Sequence, residues 1–130
     1  MLADKTNEAV FWGSRAIELA QNFHATETLV HALNNVGSAQ LFANDEQGRA
    51  KLEESLRLSI AHNLEEHASR AFTNLSSVAL MKHDYPLALR YLDAGNSYAT
   101  EHDLESCKRY MITARARVHF ETGPMRLMAW

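Results

Sequence analysis

Seven histidines are the side chains in this sequence best able to hold a metal ion or to move a proton near neutral pH. A zinc site on one helix needs two imidazoles four residues apart, so that both lie on the same face. His24 and His31 are seven residues apart (31 − 24 = 7), and His62 and His67 are five apart (67 − 62 = 5). Neither spacing fits, so the sequence predicts neither a metal site nor a cofactor.

Candidate nucleophiles and acid–base pairs are equally poorly placed. Cys107 lies near the start of a predicted helix, where a thiolate can be stabilised, but no histidine stands beside it in a catalytic arrangement. Adjacent carboxylates such as Glu53 and Glu54 point about 100° apart on a helix, which is typical of a solvated face. No serine lies in a nucleophile-elbow context, and Gly37 and Gly48 are isolated. We therefore predict that the chain is not an enzyme.

Composition narrows the remaining classes of function. The 130 residues carry a net charge of −3 and predict one domain, with no basic face for direct binding of nucleic acid. The start lacks the apolar core of a signal peptide, and no apolar run approaches the ~20 residues that a membrane span needs. A single cysteine excludes an intrachain disulfide. We expect a cytoplasmic protein that does not bind membranes.

Apolar residues recur at helical spacing along almost the whole chain, and no strand-like alternation of useful length interrupts them. The pattern predicts an all-α fold of about six helices, near residues 5–23, 26–43, 45–62, 64–81, 84–102 and 103–120, followed by a short C-terminal stub. Thr6, Asp45 and Asp103 are the predicted N-caps of the first, third and sixth helices. His62 and His102 are expected at equivalent helix C-termini, where a protonated imidazole is favoured.

The predicted helices form a repeat of about forty residues. Asn35-Val36-Gly37 matches Asn74-Leu75-Ser76 at an offset of 39 (74 − 35), and His62-Asn63-Leu64-Glu65 matches His102-Asp103-Leu104-Glu105 at 40 (102 − 62). A two-helix unit cannot cover its own apolar faces, so stacked neighbours must share a continuous core.

The repeated motifs resemble tetratricopeptide repeats. Leu33-x-x-Val36-Gly37, Phe72-x-x-Leu75-Ser76 and Asp84-Tyr85-x-x-Ala88-x-x-Tyr91-Leu92 carry the likeness, over about residues 26–116. The resemblance implies a right-handed, antiparallel helix-hairpin solenoid forming one domain over residues 1–130. Its units would span 26–63, 64–102 and an incomplete 103–130, with helix 5–23 as an N-terminal half unit.

Residues 29–37 and 64–75 are also similar to the helical-repeat region of large bacterial LuxR-type transcription regulators. The chain has no Walker-type phosphate loop and no basic recognition helix, so ATP hydrolysis and DNA binding are not expected of it. This likeness implies an alternative function, that of an effector-sensing or oligomerisation module of a transcription regulator.

The tetratricopeptide likeness places the first helix of each unit along a concave groove that binds a peptide or protein segment, with a regulatory role. Its expected lining is His31, Asn34, Ser38 and Leu41, then Arg70, Thr73, Ser77 and Leu80, then Tyr110, Thr113 and Arg117. Arginine can bind a carboxylate through two hydrogen bonds, so an acidic segment is a natural partner. Asn35 and Asn74 are expected to hydrogen-bond between helices.

The repeat boundaries fall out of phase with the ends of the chain, so we expect a helix face to be left uncapped at each end. We predict that the apolar residues Met125, Leu127, Met128 and Trp130 mediate homodimerisation. A tail that folds back as a cap and a disordered tail are the alternatives.

Overall fold

The computed structural model describes residues 2–123 of the chain. Six helices take up 86% of these residues, and no strand occurs among them, which confirms the predicted all-α class. The helices are α1 (Leu2–Asn22), α2 (Thr26–Phe42), α3 (Gln47–Ala61), α4 (Glu65–Met81), α5 (Tyr85–Glu101) and α6 (Glu105–Thr122). None of the described helices is both long enough and apolar enough to cross a bilayer.

The chain divides into two compact units, residues 1–74 and 75–130, and the division falls within α4. In the first unit α2 packs against both α1 and α3, and in the second unit α5 packs against α6. The core of the first unit is built from aliphatic side chains of α2 and α3, of which Val30, Val36, Leu41 and Leu52 are almost fully buried. The core of the second unit includes Leu92, Met111 and Val118, which are also almost fully buried.

Turns of three or four residues connect all six helices, and each turn contains one residue in the left-handed region. These residues are His24, Asn44, Asn63, His83 and Asp103, with φ between 53° and 66°. In each turn the next residue donates its backbone N–H five residues back, as Leu64 does to the carbonyl of Ser59 at 2.8 Å. This bond satisfies a helix-end carbonyl and reverses the chain within one turn. The short turns keep consecutive helices adjacent.

Helix starts agree with the sequence prediction in part. Asp84 is the N-cap of α5 and accepts a hydrogen bond from the backbone N–H of Leu87 at 3.3 Å. The prediction was wrong at Asp45, because Glu46 is the N-cap of α3; Asp45 lies one residue earlier and accepts a hydrogen bond from the backbone N–H of Gln47 at 3.1 Å. The prediction was wrong at Thr6, which lies inside α1, because this helix begins at Leu2. It was also wrong at Asp103, because the backbone of that residue is left-handed and Leu104 is the N-cap of α6. His62 and His102 are the C-cap residues of α3 and α5, as expected.

A close crossing of α2 and α3 holds the first unit together. A Cβ atom added at Gly37 would lie 2.8 Å from the carbonyl oxygen of Gly48, and one added at Gly48 would collide with the carbonyl oxygen of Gly37. The two backbones therefore touch at this point, which only glycine allows. Next to the crossing, the buried hydroxyl of Ser55 donates to the carbonyl of Val30 at 2.9 Å.

Candidate functional site

Polar side chains of α2 and α4 meet on one surface of the first unit. Glu27, His31 and Asn35 are spaced by four residues along α2, so they share a helix face. His67 and Arg70 stand on α4 and contact these residues. We refer to these five side chains as the α2–α4 polar face.

Arg70 lies at the centre of this face and contacts two side chains of α2. One guanidinium nitrogen, Nη1, lies 3.3 Å from Nδ1 of His31, and the other, Nη2, donates to Oδ1 of Asn35 at 3.2 Å. If Nδ1 of His31 accepts this bond, the proton of a neutral His31 is on Nε2. No described carboxylate lies within ion-pair distance of Arg70. The guanidinium is thus fixed in direction while its charge stays uncompensated.

His67 and Glu27 form the other end of the face. Nε2 of His67 lies 3.4 Å from Oε1 of Glu27, and the imidazole is mostly buried while the carboxylate is exposed. The rings of His31 and His67 meet edge to face with centroids 5.6 Å apart. Nδ1 of His67 is buried without a hydrogen-bond partner in the structure. The face therefore has a cationic centre and one anionic end.

A buried amide pair lies beneath this surface. Asn74 donates through Nδ2 to Oδ1 of Asn34 at 2.9 Å, and Asn34 is fully buried. The expected inter-helix bonds of Asn35 and Asn74 are therefore present, Asn35 with Arg70 and Asn74 with Asn34. Because Asn34 is fully buried, a shift of α2 against α4 would leave its Oδ1 without a partner, so this bond restricts how the two helices can slide past each other.

The second unit carries a different polar cluster. The hydroxyls of Ser77 on α4 and Tyr110 on α6 are 2.5 Å apart. Tyr85 donates to Oε2 of Glu121 at 2.8 Å, and Nε of Arg117 donates to Oε1 of the same carboxylate at 2.9 Å. The hydrogen bonds from Arg117 and Tyr85 lower the pKa of Glu121 below its ordinary value. This arginine is already neutralised by a carboxylate, unlike Arg70.

The expected groove residues divide into buried and accessible ones. Leu41 and Asn34 are fully buried and Leu80 is 8% exposed, so these three belong to the core and cannot line a surface. His31, Arg70, Thr113 and Arg117 are exposed, whereas Ser38, Thr73, Ser77 and Tyr110 are half-buried. Within the units, the structure brings together His31 with Arg70 and Ser77 with Tyr110. Met125, Leu127, Met128 and Trp130 lie outside the described residues.

The contact between Glu27 and His67 was not predicted from the sequence. The signal that could have found it is the predicted forty-residue repeat, because two contacts on this face join residues that are 39 or 40 apart. Glu27 and His67 are 40 residues apart (67 − 27), as are Asn34 and Asn74, while His31 and Arg70 are 39 apart. Applying both offsets to the polar residues of α2 would have paired Glu27 with His67 and His31 with Arg70, although not Asn35 with Arg70, which are 35 residues apart.

The charged groups of this face are Arg70 and Glu27, which are suited to contacts with groups of opposite charge. Within residues 2–123, no group of three or more histidine, cysteine or acidic side chains is arranged to hold a metal ion. Cys107 is buried in α6. A preoriented, uncompensated arginine on an exposed helix surface is suited to binding a carboxylate through paired hydrogen bonds.

Comparison of the chain with known protein families, with curated proteins and with solved structures finds no match. The likeness to tetratricopeptide repeats therefore stays a prediction from the residues.

Proposed function

We propose that this chain is a protein-interaction module, without catalysis of its own, whose α2–α4 polar face binds an acidic segment of a partner protein. The observation that carries the proposal is the state of Arg70. Its guanidinium is oriented by His31 and Asn35, and no described carboxylate lies within ion-pair distance of it.

The energetics favour a carboxylate at this position. Guanidinium–carboxylate pairs make two parallel, charge-assisted hydrogen bonds, which are roughly twice as strong as bonds between neutral groups. Arg70 is exposed, so a partner can reach it without opening the fold. The contacts to His31 and Asn35 restrict the rotamers of a long side chain in advance, which reduces the entropy lost on binding.

The charge pattern also gives the bound segment a direction. Glu27 is 73% exposed in its side chain and lies at the end of the face where His67 pairs with it. A segment with a carboxylate on Arg70 and a basic or hydrogen-bond-donating group toward Glu27 matches both charges. The opposite orientation would place a carboxylate against Glu27, and such juxtaposition of like charges disfavours binding.

Selection from a displayed library of random peptides tests the proposal. The native chain serves as bait, and Arg70→Glu serves as the counter-selection bait. Arg90→Glu, which reverses another exposed arginine on α5, is the matched control. Circular dichroism establishes that the three proteins are equally helical.

We expect the enriched peptides to be rich in Asp and Glu, to bind the native chain and Arg90→Glu, and to lose binding to Arg70→Glu. Peptides that bind all three baits equally would place the binding surface elsewhere. Enriched peptides without acidic residues would contradict the assignment of Arg70 as a carboxylate-binding group.

A further inference from the structure

Helix α6 exposes an apolar stripe. Ile112 is 50% exposed and Phe120 is 54% exposed, and Ala116 lies between them at a spacing of four residues, also exposed. This spacing places all three on one face of the helix. We refer to these residues as the α6 stripe.

The predicted repeat indicates which kind of helix packs against this stripe. The offset of 79 residues (116 − 37) relates the stripe to α2, and the offset of 40 (116 − 76) relates it to α4. The equivalent residues are Leu33, Gly37 and Leu41 in α2, and Phe72, Ser76 and Leu80 in α4, all of which are buried. In α2 this face receives the following helix, because Gly37 and Leu41 contact the backbone of α3 at Gly48. The α6 stripe is therefore a surface for the second helix of a two-helix unit.

Helix α1 exposes a complementary surface. Trp12 and Leu19 on α1 and Phe23 just after it are 61%, 56% and 78% exposed and follow one another at spacings of seven and four residues. We refer to them as the α1 stripe. A different face of α1 packs on α2 and includes Ala20, which is 3% exposed. The offset of 39 residues relates Trp12 to Lys51 and Leu19 to Leu58 (51 − 12 and 58 − 19), so α1 corresponds to α3, the second helix of a unit.

We propose that α6 of one copy of this chain packs against α1 of another copy and completes a two-helix unit between them. The α6 stripe exposes a face that is buried at the equivalent positions of α2 and α4, and the α1 stripe offers an apolar surface to cover it. The small residues at the crossing support this pairing. Gly37 and Gly48 touch in the α2–α3 pair, and their equivalents Ala116 and Ala9 (48 − 9 = 39) are both small and exposed. Small residues let two helix backbones approach closely, and apolar side chains on either side then fill the contact.

This contact is heterologous, because two different surfaces meet. After pairing, one copy keeps an unused α1 stripe and the other keeps an unused α6 stripe, so association continues into an open chain or closes into a ring. A symmetric dimer would instead join the same stripe from both copies. The two arrangements differ in how single substitutions act.

Sedimentation velocity over a range of protein concentrations tests the proposal. We expect the average mass of the native chain to rise with concentration above the 14.7 kDa of one copy. Trp12→Glu and Phe120→Glu should each lower the association constant by at least about tenfold, because a charge cannot be buried unpaired in an apolar contact. Met81→Glu is the matched control, since Met81 is 61% exposed on α4 and lies in neither stripe.

Mixing the two variants gives the sharpest outcome. Trp12→Glu keeps an intact α6 stripe and Phe120→Glu keeps an intact α1 stripe, so an equimolar mixture should form a dimer with one junction and stop there. A native chain that stays monomeric at every concentration would overturn the proposal, as would a mixture that stays monomeric. Loss of association in only one of the two variants would indicate a symmetric contact and would also overturn it.

Discussion

Replacing Gly48 by alanine should destabilise the first unit, although alanine is the better helix former. A Cβ atom at this position would press on the carbonyl oxygen of Gly37 and would lie 2.6 Å from the backbone nitrogen of Leu41. Ordinary van der Waals contact begins at 3.4 Å, so α2 and α3 must separate by 0.8 Å or more (3.4 − 2.6). The atoms in the way are backbone atoms, which cannot move aside by changing a rotamer.

The size of the effect follows from two opposing terms. A gap of 0.5–1 Å forfeits roughly a quarter to a half of each dispersion contact across it, and Leu41 and Leu52 beside the crossing are fully buried. Overpacking of a core costs about 1–3 kcal/mol, and we take the upper value of about 3 because the backbone is rigid. The higher helix propensity of alanine offsets about 1 kcal/mol. We expect a net loss of about 2 kcal/mol in the free energy of unfolding.

Urea denaturation followed by circular dichroism measures this loss, and amide hydrogen exchange in α2 and α3 localises it. Ala50→Gly on the exposed side of α3 is the matched control, because it makes the reverse exchange away from the crossing. Glycine should destabilise the helix at position 50 by about 1 kcal/mol, whereas it is the required residue at position 48. A Gly48→Ala chain as stable as the native one, or more stable, would refute the close crossing.

Three other substitutions test separate parts of the account. His24→Gly should stabilise the chain by about 0.5–1 kcal/mol in thermal or urea unfolding, because the backbone of His24 is left-handed (φ 53°). The control Thr28→Gly, inside α2, should destabilise the chain. A loss of stability in His24→Gly would contradict this turn geometry. Glu121→Gln should destabilise the second unit at neutral pH. The pKa of Glu121 is lowered in the folded state, so its contribution is complete above the unfolded pKa and disappears as the pH falls through the folded pKa. The free energies of unfolding of the native chain and of Glu121→Gln should therefore converge at low pH. The control Glu18→Gln, at an exposed site on α1, should be as stable as the native chain at each pH. A stability difference between Glu121→Gln and the native chain that does not change with pH would refute the ion pair. Arg70→Glu should abolish binding of acidic peptides and leave the helicity, measured by circular dichroism, unchanged. Retained binding would show that the α2–α4 polar face is not the binding surface.

Much of the fold was predictable because helical periodicity and short turns are local properties. The predicted starts and ends of α2 and α4 agree with the structure within one residue. The start of α1 was misplaced since Thr6 has the residue type of an N-cap, while Leu2 and Ala3 before it are good helix formers that extend the helix. The predicted handedness of a solenoid depends on tertiary packing and stays a prediction.

The candidate site was predictable only in part. Neighbouring residues of a helix point about 100° apart, so an error of one position in the assigned face exchanges surface residues for core residues. Alignment on Gly37 placed His31 and Arg70 correctly on the surface, and the same alignment wrongly placed Asn34 and Leu41 there. A polar side chain in the core, such as Asn34, cannot be distinguished from an exposed one by sequence pattern. Its bond to Asn74 compensates for the burial, and this bond is a contact between two helices that the pattern along one helix does not contain.

The most direct test of the proposed function is a double-mutant cycle between Arg70 and the carboxylate that it binds. Isothermal titration would measure the affinity of an enriched acidic peptide, and of the same peptide with its acidic residue changed to the matching amide, for the native chain and for Arg70→Gln. We expect the two changes to be coupled by about 1 kcal/mol or more, because each alone removes the same charge-assisted contact. Independent effects, with a coupling near zero, would show that Arg70 does not bind the carboxylate and would contradict the account.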